Sequence, residues 1–316
     1  MMHSSKRTAS SGPEPHPRLT GSVDTCPRTL VRITLDSVNS ALFHDFDDAI
    51  AGADRDVDLF GAAMVISHLG DAQADAHSCA RQLDLIADAV LDYAAGATDP
   101  DSLSHAIDYH LFSVLGFQGN TADYEDPANS YLSEVLRRRA GIPITLSLVY
   151  MEVAQRVGLR CDGVGYPQHF IVRCGDPESP IFIDPFHQGS RLDREELLAG
   201  LRSVELAGAS PESFISAITR RQMLQRMLNN LHLIFRKRKD IERWLAVLEL
   251  QVRLEPWNAT LIGQRGMLHY RQGNASLALA DLERYVHASE RESVHAGALK
   301  LLDELRLRCR GNEEAR

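Results

Sequence analysis

N-S-Y-L at Asn129–Leu132, V-L-R-R-R-A-G-I-P-I-T-L-S-L at Val135–Leu148, P-Q-H-F-I-V-R at Pro167–Arg173 and F-I-D-P-F at Phe182–Phe186 form the stretch on which the fold turns. Within it the apolar period changes. Leu148, Val149, Val153 and Val157 recur at helical spacing. Pro143 falls in the first turn, where proline is favoured, and Gly158 follows the last. From Cys161 the period drops to two, so 161–166, 168–174 and 180–184 read as strands. Gly175-Asp176-Pro177-Glu178-Ser179 is turn chemistry, which makes the last two strands an antiparallel hairpin.

Upstream the pattern is helical. Residues 58–69 and 74–94 are Ala- and Leu-rich, and Leu83, Ile86, Ala87, Val90 and Leu91 predict one buried face. Asp101 or Ser102 caps a helix of about 102–115, ended by the two glycines of Gly116-Phe117-Gln118-Gly119-Asn120. Asn129 or Ser130 caps a short helix through Arg139, stopped by Gly141. Val31, Ile33 and Leu35 alternate briefly, and residues 1–28, rich in Ser, Thr, Pro and Gly, read as a disordered tail. Past residue 191 the chain is helical again. Gly266, Tyr270, Gly273, Ala278, Leu282 and Tyr285 fit the tetratricopeptide pattern over 259–290, with a weaker copy marked by Leu248 and Pro256 one repeat earlier. The tail from Arg308 reads as frayed. The fold class is therefore α+β: a helical lead-in, a core with a small antiparallel sheet, and an all-α C-terminal part.

The hairpin brings the chemistry together. His169, Ile171 and Arg173 share one strand face, and Phe182 and Asp184 share one on the partner. If Cys174 pairs with Ser179, His169 stands opposite Asp184, close enough for the carboxylate to accept from an imidazole N–H. Such a pair fixes a tautomer and stabilises imidazolium, as in acyl-transfer triads, but is also a common structural contact. A nucleophile at the start of the helix after Gly141 would gain from the helix dipole, yet the first turns offer only Thr145 and Ser147. Cys161 lies past the helix's far end, and Cys174 falls on the strand face opposite His169. No metal site is expected: His105 and His110 lie off a common helix face, and His169 with His187 lacks an obvious third ligand. Arg137–Arg139 reads as a solvated helix end.

G-F-Q-G-N at 116–120, D-P-A-N-S-Y-L at 126–132, R-R-A-G-I-P-I-T-L-S-L at 138–148, G-V-G-Y-P-Q-H-F at 163–170 and F-I-D-P-F at 182–186 resemble the bacterial SirB-type proteins. The resemblance covers roughly residues 55–290 and implies a transglutaminase-like core of the papain-like cysteine-protease superfamily, followed by tetratricopeptide-like helices. It implies three regions: the tail 1–28, a transglutaminase-like domain 29–210 with a helical N-terminal part, and a tetratricopeptide-like domain 211–310. In that superfamily a Cys–His–Asp triad occupies the scaffold. His169 and Asp184 match the last two members, while the helix-start pattern and Gly158 both place the cysteine position on Pro143. Proline has no nucleophilic side chain. Gln168 departs from the family, which usually has glycine before the histidine. The implied cleft would be lined by Asn129, Tyr131, Arg139, Pro167, Gln168 and Phe186.

Two functions follow from these residues. One is a non-catalytic protein that binds a protein or peptide partner through the degenerate cleft and the helical repeats. The other is an acyl-transfer or amide-hydrolysing enzyme that uses His169 and Asp184 with water, or with Thr145 or Ser147 as nucleophile. A third possibility gives the cleft residues a purely structural role. No cofactor is implied. The net charge of −9 argues against a nucleic-acid partner. No run approaches the roughly 18 apolar residues of a membrane span, and the N-terminus lacks the apolar core of a secretory signal. Five scattered cysteines without a C-x-x-C fit a reducing cytoplasm.

Overall fold

A computed structural model describes residues 41–203, 208–288 and 296–313. The expected tail 1–28 and the alternation at Val31–Leu35 lie outside the described residues. The first described helix, α1, covers 41–49. Four α-helices follow: α2 (Leu59–His68), α3 (Ala76–Ala94), α4 (Pro100–Asp108), which runs on as a π-helical turn over Tyr109–Val114, and α5 (Leu132–Arg138). Asp58, Asp75 and Asp99 cap α2, α3 and α4, each accepting a main-chain N–H from the first turn. Asp99 therefore takes the cap expected of Asp101 or Ser102, because Pro100 is already in the first turn. On α3, Leu83, Ile86, Ala87 and Val90 are buried as the periodicity predicts, but Leu91 points outward and is 43% exposed.

Two features of the lead-in differ from expectation. Residues Asn129 and Ser130 belong to a separate 3-10 turn, and α5 starts after Tyr131. Its stop is Arg139, at φ +55°, rather than Gly141. The chain can then run straight into β2 (Ala140–Gly141), which pairs in parallel with β1 (Gln118–Gly119). This two-stranded sheet was not legible in the sequence, since two-residue strands carry no period.

Helix α6 (Pro143–Arg156) is the central element. Leu148, Tyr150, Val153 and Ala154 are fully buried. Burying Leu148 and Val153 contributes about 1.5–3 kcal/mol each. Beside it lies an antiparallel sheet ordered β3 (Cys161–Val164), β4 (Ile171–Cys174), β5 (Ile181–Asp184) and β6 (Ser190–Leu192). The hairpin register is Val172 opposite Ile183 and Cys174 opposite Ile181. That is a two-residue slip from the expected pairing of Cys174 with Ser179. Because the side-chain period is two, the slip leaves the side chains of the paired strands on their expected faces. β4 begins only at Ile171, so His169 precedes the strand.

Helices α7 (Arg194–Gly200), α8 (Arg220–Arg238), α9 (Ile241–Leu254), α10 (Ala259–Arg271), α11 (Ala275–Ala288) and α12 (Ala296–Glu313) complete the chain. The α12 backbone stays helical to Glu313, past the point where fraying was expected. Met223, Leu224, Met227, Leu228, Leu231 and Phe235 of α8, and Val247, Leu250 and Leu254 of α9, join the same apolar core as α6 and the sheet. The core thus continues across residue 211 without a break. The pair α10–α11 packs where the repeat pattern placed its small residues. A Cβ on Gly266 would meet the Asp281 Cβ at 3.0 Å, and Ala278 and Leu282 are fully buried. Among the described residues, no helix is long and apolar enough to cross a membrane.

Candidate functional site

D-P-F-H at Asp184–His187 forms a self-contained turn at the end of β5. Pro185 starts a 3-10 turn, and Asp184 caps it, its Oδ1 accepting from the main-chain N–H groups of Phe186 (3.0 Å) and His187 (3.2 Å). The turn carries His187 back over the carboxylate, so that its Nδ1 lies 2.8 Å from Asp184 Oδ2. His169 reaches the same oxygen from the other side, with Nε2 at 2.7 Å. Asp184 is buried, with 5% of its side chain exposed, while His169 is 23% and His187 65% exposed.

A carboxylate only accepts, so the ring nitrogens facing it carry the protons: Nε2 of His169 and Nδ1 of His187. This leaves Nδ1 of His169 as the nitrogen with a free lone pair. Burial pushes the Asp184 carboxyl upward, but the hydrogen bonds from His169 and His187 outweigh it and hold the group below its usual value. The expected contact between His169 and Asp184 is therefore made. The sequence offered no third partner for His169 and His187; the structure places Asp184 between them, and their three ligand-type atoms lie within 4.8 Å of one another.

His169 sits on a sharp turn. Gln168 adopts φ +58°, the left-handed region that favours glycine, and the His169 N–H bonds the Tyr166 carbonyl at 3.0 Å. The turn is held from α8: Arg226 Nη2 donates to the His169 carbonyl at 2.9 Å and to the Tyr166 carbonyl at 3.3 Å. Its guanidinium also lies 5.5 Å from the centre of the Phe170 ring. Gly165 makes room for it, since a Cβ there would stand 2.5 Å from Arg226 Nη1.

These elements enclose a cleft of about 350 Å³. Pro143 and its neighbours Ile142 and Ile144 form one wall, Gln168, His169 and Phe170 another, and Tyr124, Arg226, Asn229 and Asn230 close it. Pro143 and His169 thus share one cavity. Serine, threonine and cysteine do not occur among the described residues that line it. Thr145 is buried, its hydroxyl donating to the Asn129 carbonyl at 2.7 Å and accepting from the Ile142 N–H at 3.2 Å. Ser147 is buried outside the cleft lining, and its hydroxyl has no hydrogen-bond partner.

The other cleft residues named from the sequence divide. Gln168 lines the cavity, and the Phe186 ring stands 6.1 Å from the His169 ring, nearly perpendicular to it. Asn129 is a buried brace whose amide donates to the Asp123 carbonyl at 2.7 Å and accepts from the Asn120 amide at 3.0 Å. Tyr131 is buried in the main core. Arg139 donates to the Leu115 carbonyl at 2.9 Å, and Pro167 forms the turn ahead of Gln168. Arg226, Asn229 and Asn230 line the cleft without any signal of it in the sequence. They lie on an amphipathic helix more than fifty residues beyond His169, and nothing local marks them as cleft residues.

An N-terminal helix layer, a central helix opening on the cleft, and an antiparallel sheet that carries the aspartate beside the histidine turn define a transglutaminase-like domain. Residues 77–229 match the transglutaminase-like superfamily, and residues 231–302 match the tetratricopeptide repeat. A UPF0162 protein of Xylella fastidiosa (strain Temecula1) is 36% identical over 186 residues, which is 57% of this chain and 66% of that protein. A UPF0162 protein of Buchnera aphidicola is 23% identical over 230 residues, or 72% of this chain and 85% of its own length. The mouse F-box only protein 21 is 32% identical over 183 residues, covering 53% of this chain but 28% of that protein. The match thus spans just under two thirds of the Xylella relative. No solved structure matches the chain significantly.

Proposed function

We propose that this chain is a SirB-type, non-catalytic member of the transglutaminase-like group that captures a protein or peptide partner in its cleft and through its tetratricopeptide-like helices. One observation carries the proposal: the cavity wall facing His169 at the helix start is Pro143, and the two hydroxyls on the following turn are turned into the interior. Covalent acyl transfer needs a nucleophile within hydrogen-bond reach of the base, and proline supplies none. What remains suits recognition. Asn229, Asn230 and Gln168 offer amide donors and acceptors matched to a peptide backbone, and Tyr124 with Pro143 and Ile144 offers apolar contact. Tetratricopeptide helices commonly dock other proteins, which supports a second contact on the same partner. A cytoplasmic location agrees with the sparse, scattered cysteines.

The test uses the full chain, because α8 and α9 share its core. Peptide arrays should show binding that Asn229→Ala together with Asn230→Ala abolishes. Amide and ester substrates should show no turnover above buffer. Turnover that His169→Ala removes would refute the binding-only reading and restore the hydrolase alternative, with water as the nucleophile.

A further inference from the structure

We propose that His169, Asp184 and His187 form a binding site for a first-row divalent transition metal of the zinc class. The proposal stands on the same histidine as the cleft but does not depend on peptide capture. Two imidazole nitrogens converge on one carboxylate oxygen, at 2.7 and 2.8 Å. Two imidazoles and one carboxylate are a donor set suited to zinc and its neighbours and poorly suited to magnesium or calcium, which prefer oxygen ligands.

The supporting shell is already built. Asp184 Oδ1 is fixed by the N–H groups of Phe186 and His187, so Oδ2 alone is left for an ion and its direction is set. The Phe186 ring packs edge-on to both histidines, 6.1 and 5.2 Å away, and limits their rotation. Tetrahedral coordination with bonds near 2.1 Å separates ligand atoms by about 3.4 Å. The two nitrogens must therefore each withdraw from Oδ2 by about 0.6–0.7 Å to admit an ion. His187, the exposed member, is free to make its own share of that movement.

Binding asks for no net proton loss from neutral rings. Each imidazole moves its proton to the nitrogen remote from Asp184 and turns the freed lone pair to the ion. Three protein ligands leave a fourth position open, and the exposure of His187 opens that side to solvent. Water, or an oxygen of a molecule in the neighbouring cleft, would fill it.

The test is titration of the full, untagged, chelator-treated chain with zinc and with cobalt, followed by calorimetry and by the visible absorption of bound cobalt. One ion per chain should bind, with His169→Ala and His187→Ala each weakening it by at least about tenfold, and magnesium should not compete. His187→Ala changes an exposed side chain, so unaltered melting with chelator present separates ligand loss from misfolding. Absence of saturable binding in the wild type would overturn the proposal. So would equal binding by the wild type and a correctly folded His187→Ala variant, which would place the ion elsewhere, for instance on His3 or His16. Zinc-dependent hydrolysis would uphold the ion site while defeating the binding-only function. Peptide binding without any ion binding would do the reverse.

Discussion

The guanidinium of Arg226 donates to the main-chain carbonyl of His169, across 57 residues of sequence, at 2.9 Å. The helix that leads into the repeats thereby holds the imidazole turn of the transglutaminase-like core. Arg226→Ala would leave the carbonyls of Tyr166 and His169 short of a donor and remove the contact with Phe170. The cost should be about 1–3 kcal/mol, read as a lower denaturation midpoint. The His169 ring should also lose its fixed position, so its NMR signals should broaden or shift in Arg226→Ala. Arg226→Lys should recover only part of the loss, since an ammonium lacks the planar fork that spans two carbonyls.

Gln168 carries a strained backbone at φ +58° immediately before His169. A non-glycine residue there costs about 1–2 kcal/mol, partly offset because glycine adds freedom to the unfolded chain. Gln168→Gly should therefore stabilise the protein by roughly 0.5–1 kcal/mol, seen as a raised melting temperature. It would also remove a side chain from the cleft wall. If the glutamine serves ligand binding, the stabilised variant should bind peptide less well, which is the usual trade between stability and a functional site.

Asp108 gives the fold a pH dependence with a definite sign. Burial raises its carboxyl from 3.8 to about 6, against the opposing pull of Arg191, whose Nη2 lies 2.9 Å away. The folded state therefore holds this proton more tightly than the unfolded chain does. The stabilisation is complete below about pH 4 and is lost as pH rises through about 6. Asp108→Asn removes the ionisation. It should match the wild type at low pH and exceed it above pH 6 by up to about 3 kcal/mol. Urea denaturation across that range would reveal the difference, and parallel curves for the two proteins would refute it.

Much of this organisation was legible in the sequence because it is periodic. The change from helical to alternating spacing at Cys161 located α6 and the sheet, and the small residues Gly266 and Ala278 located the α10–α11 pair. Face assignment within the hairpin survived an incorrect register because the slip was two residues rather than one, but His169 meets Asp184 through the turn at Tyr166–His169, ahead of β4. What could not be seen was non-periodic or distant. The left-handed stop at Arg139 has no glycine to announce it, and β1 and β2 are too short to show alternation. The strand pattern links Asp184 to His169 alone, although the D-P-F-H turn brings His187 to the same oxygen. Proline after a capping aspartate was the available signal for that turn.

On the reading proposed above, Pro143 takes the place of a nucleophile, and it shares its cavity with His169. Pro143→Cys tests whether the surrounding machinery is still in place. The substitution loses only a favourable first-turn proline, worth at most about 1 kcal/mol. The new thiol would lie in the first turn of α6, where the helix dipole favours thiolate, and in the same cavity as His169. Its alkylation should show a pH midpoint below the roughly 8.5 of an ordinary cysteine, and adding His169→Ala should return it toward that value. The native thiols offer little background at Cys79 and Cys161, which burial pushes upward and makes less reactive. Mass mapping of the labelled position separates the new site from the rest. A midpoint no lower than that of free cysteine would show that the imidazole and the helix start do not act together on that position.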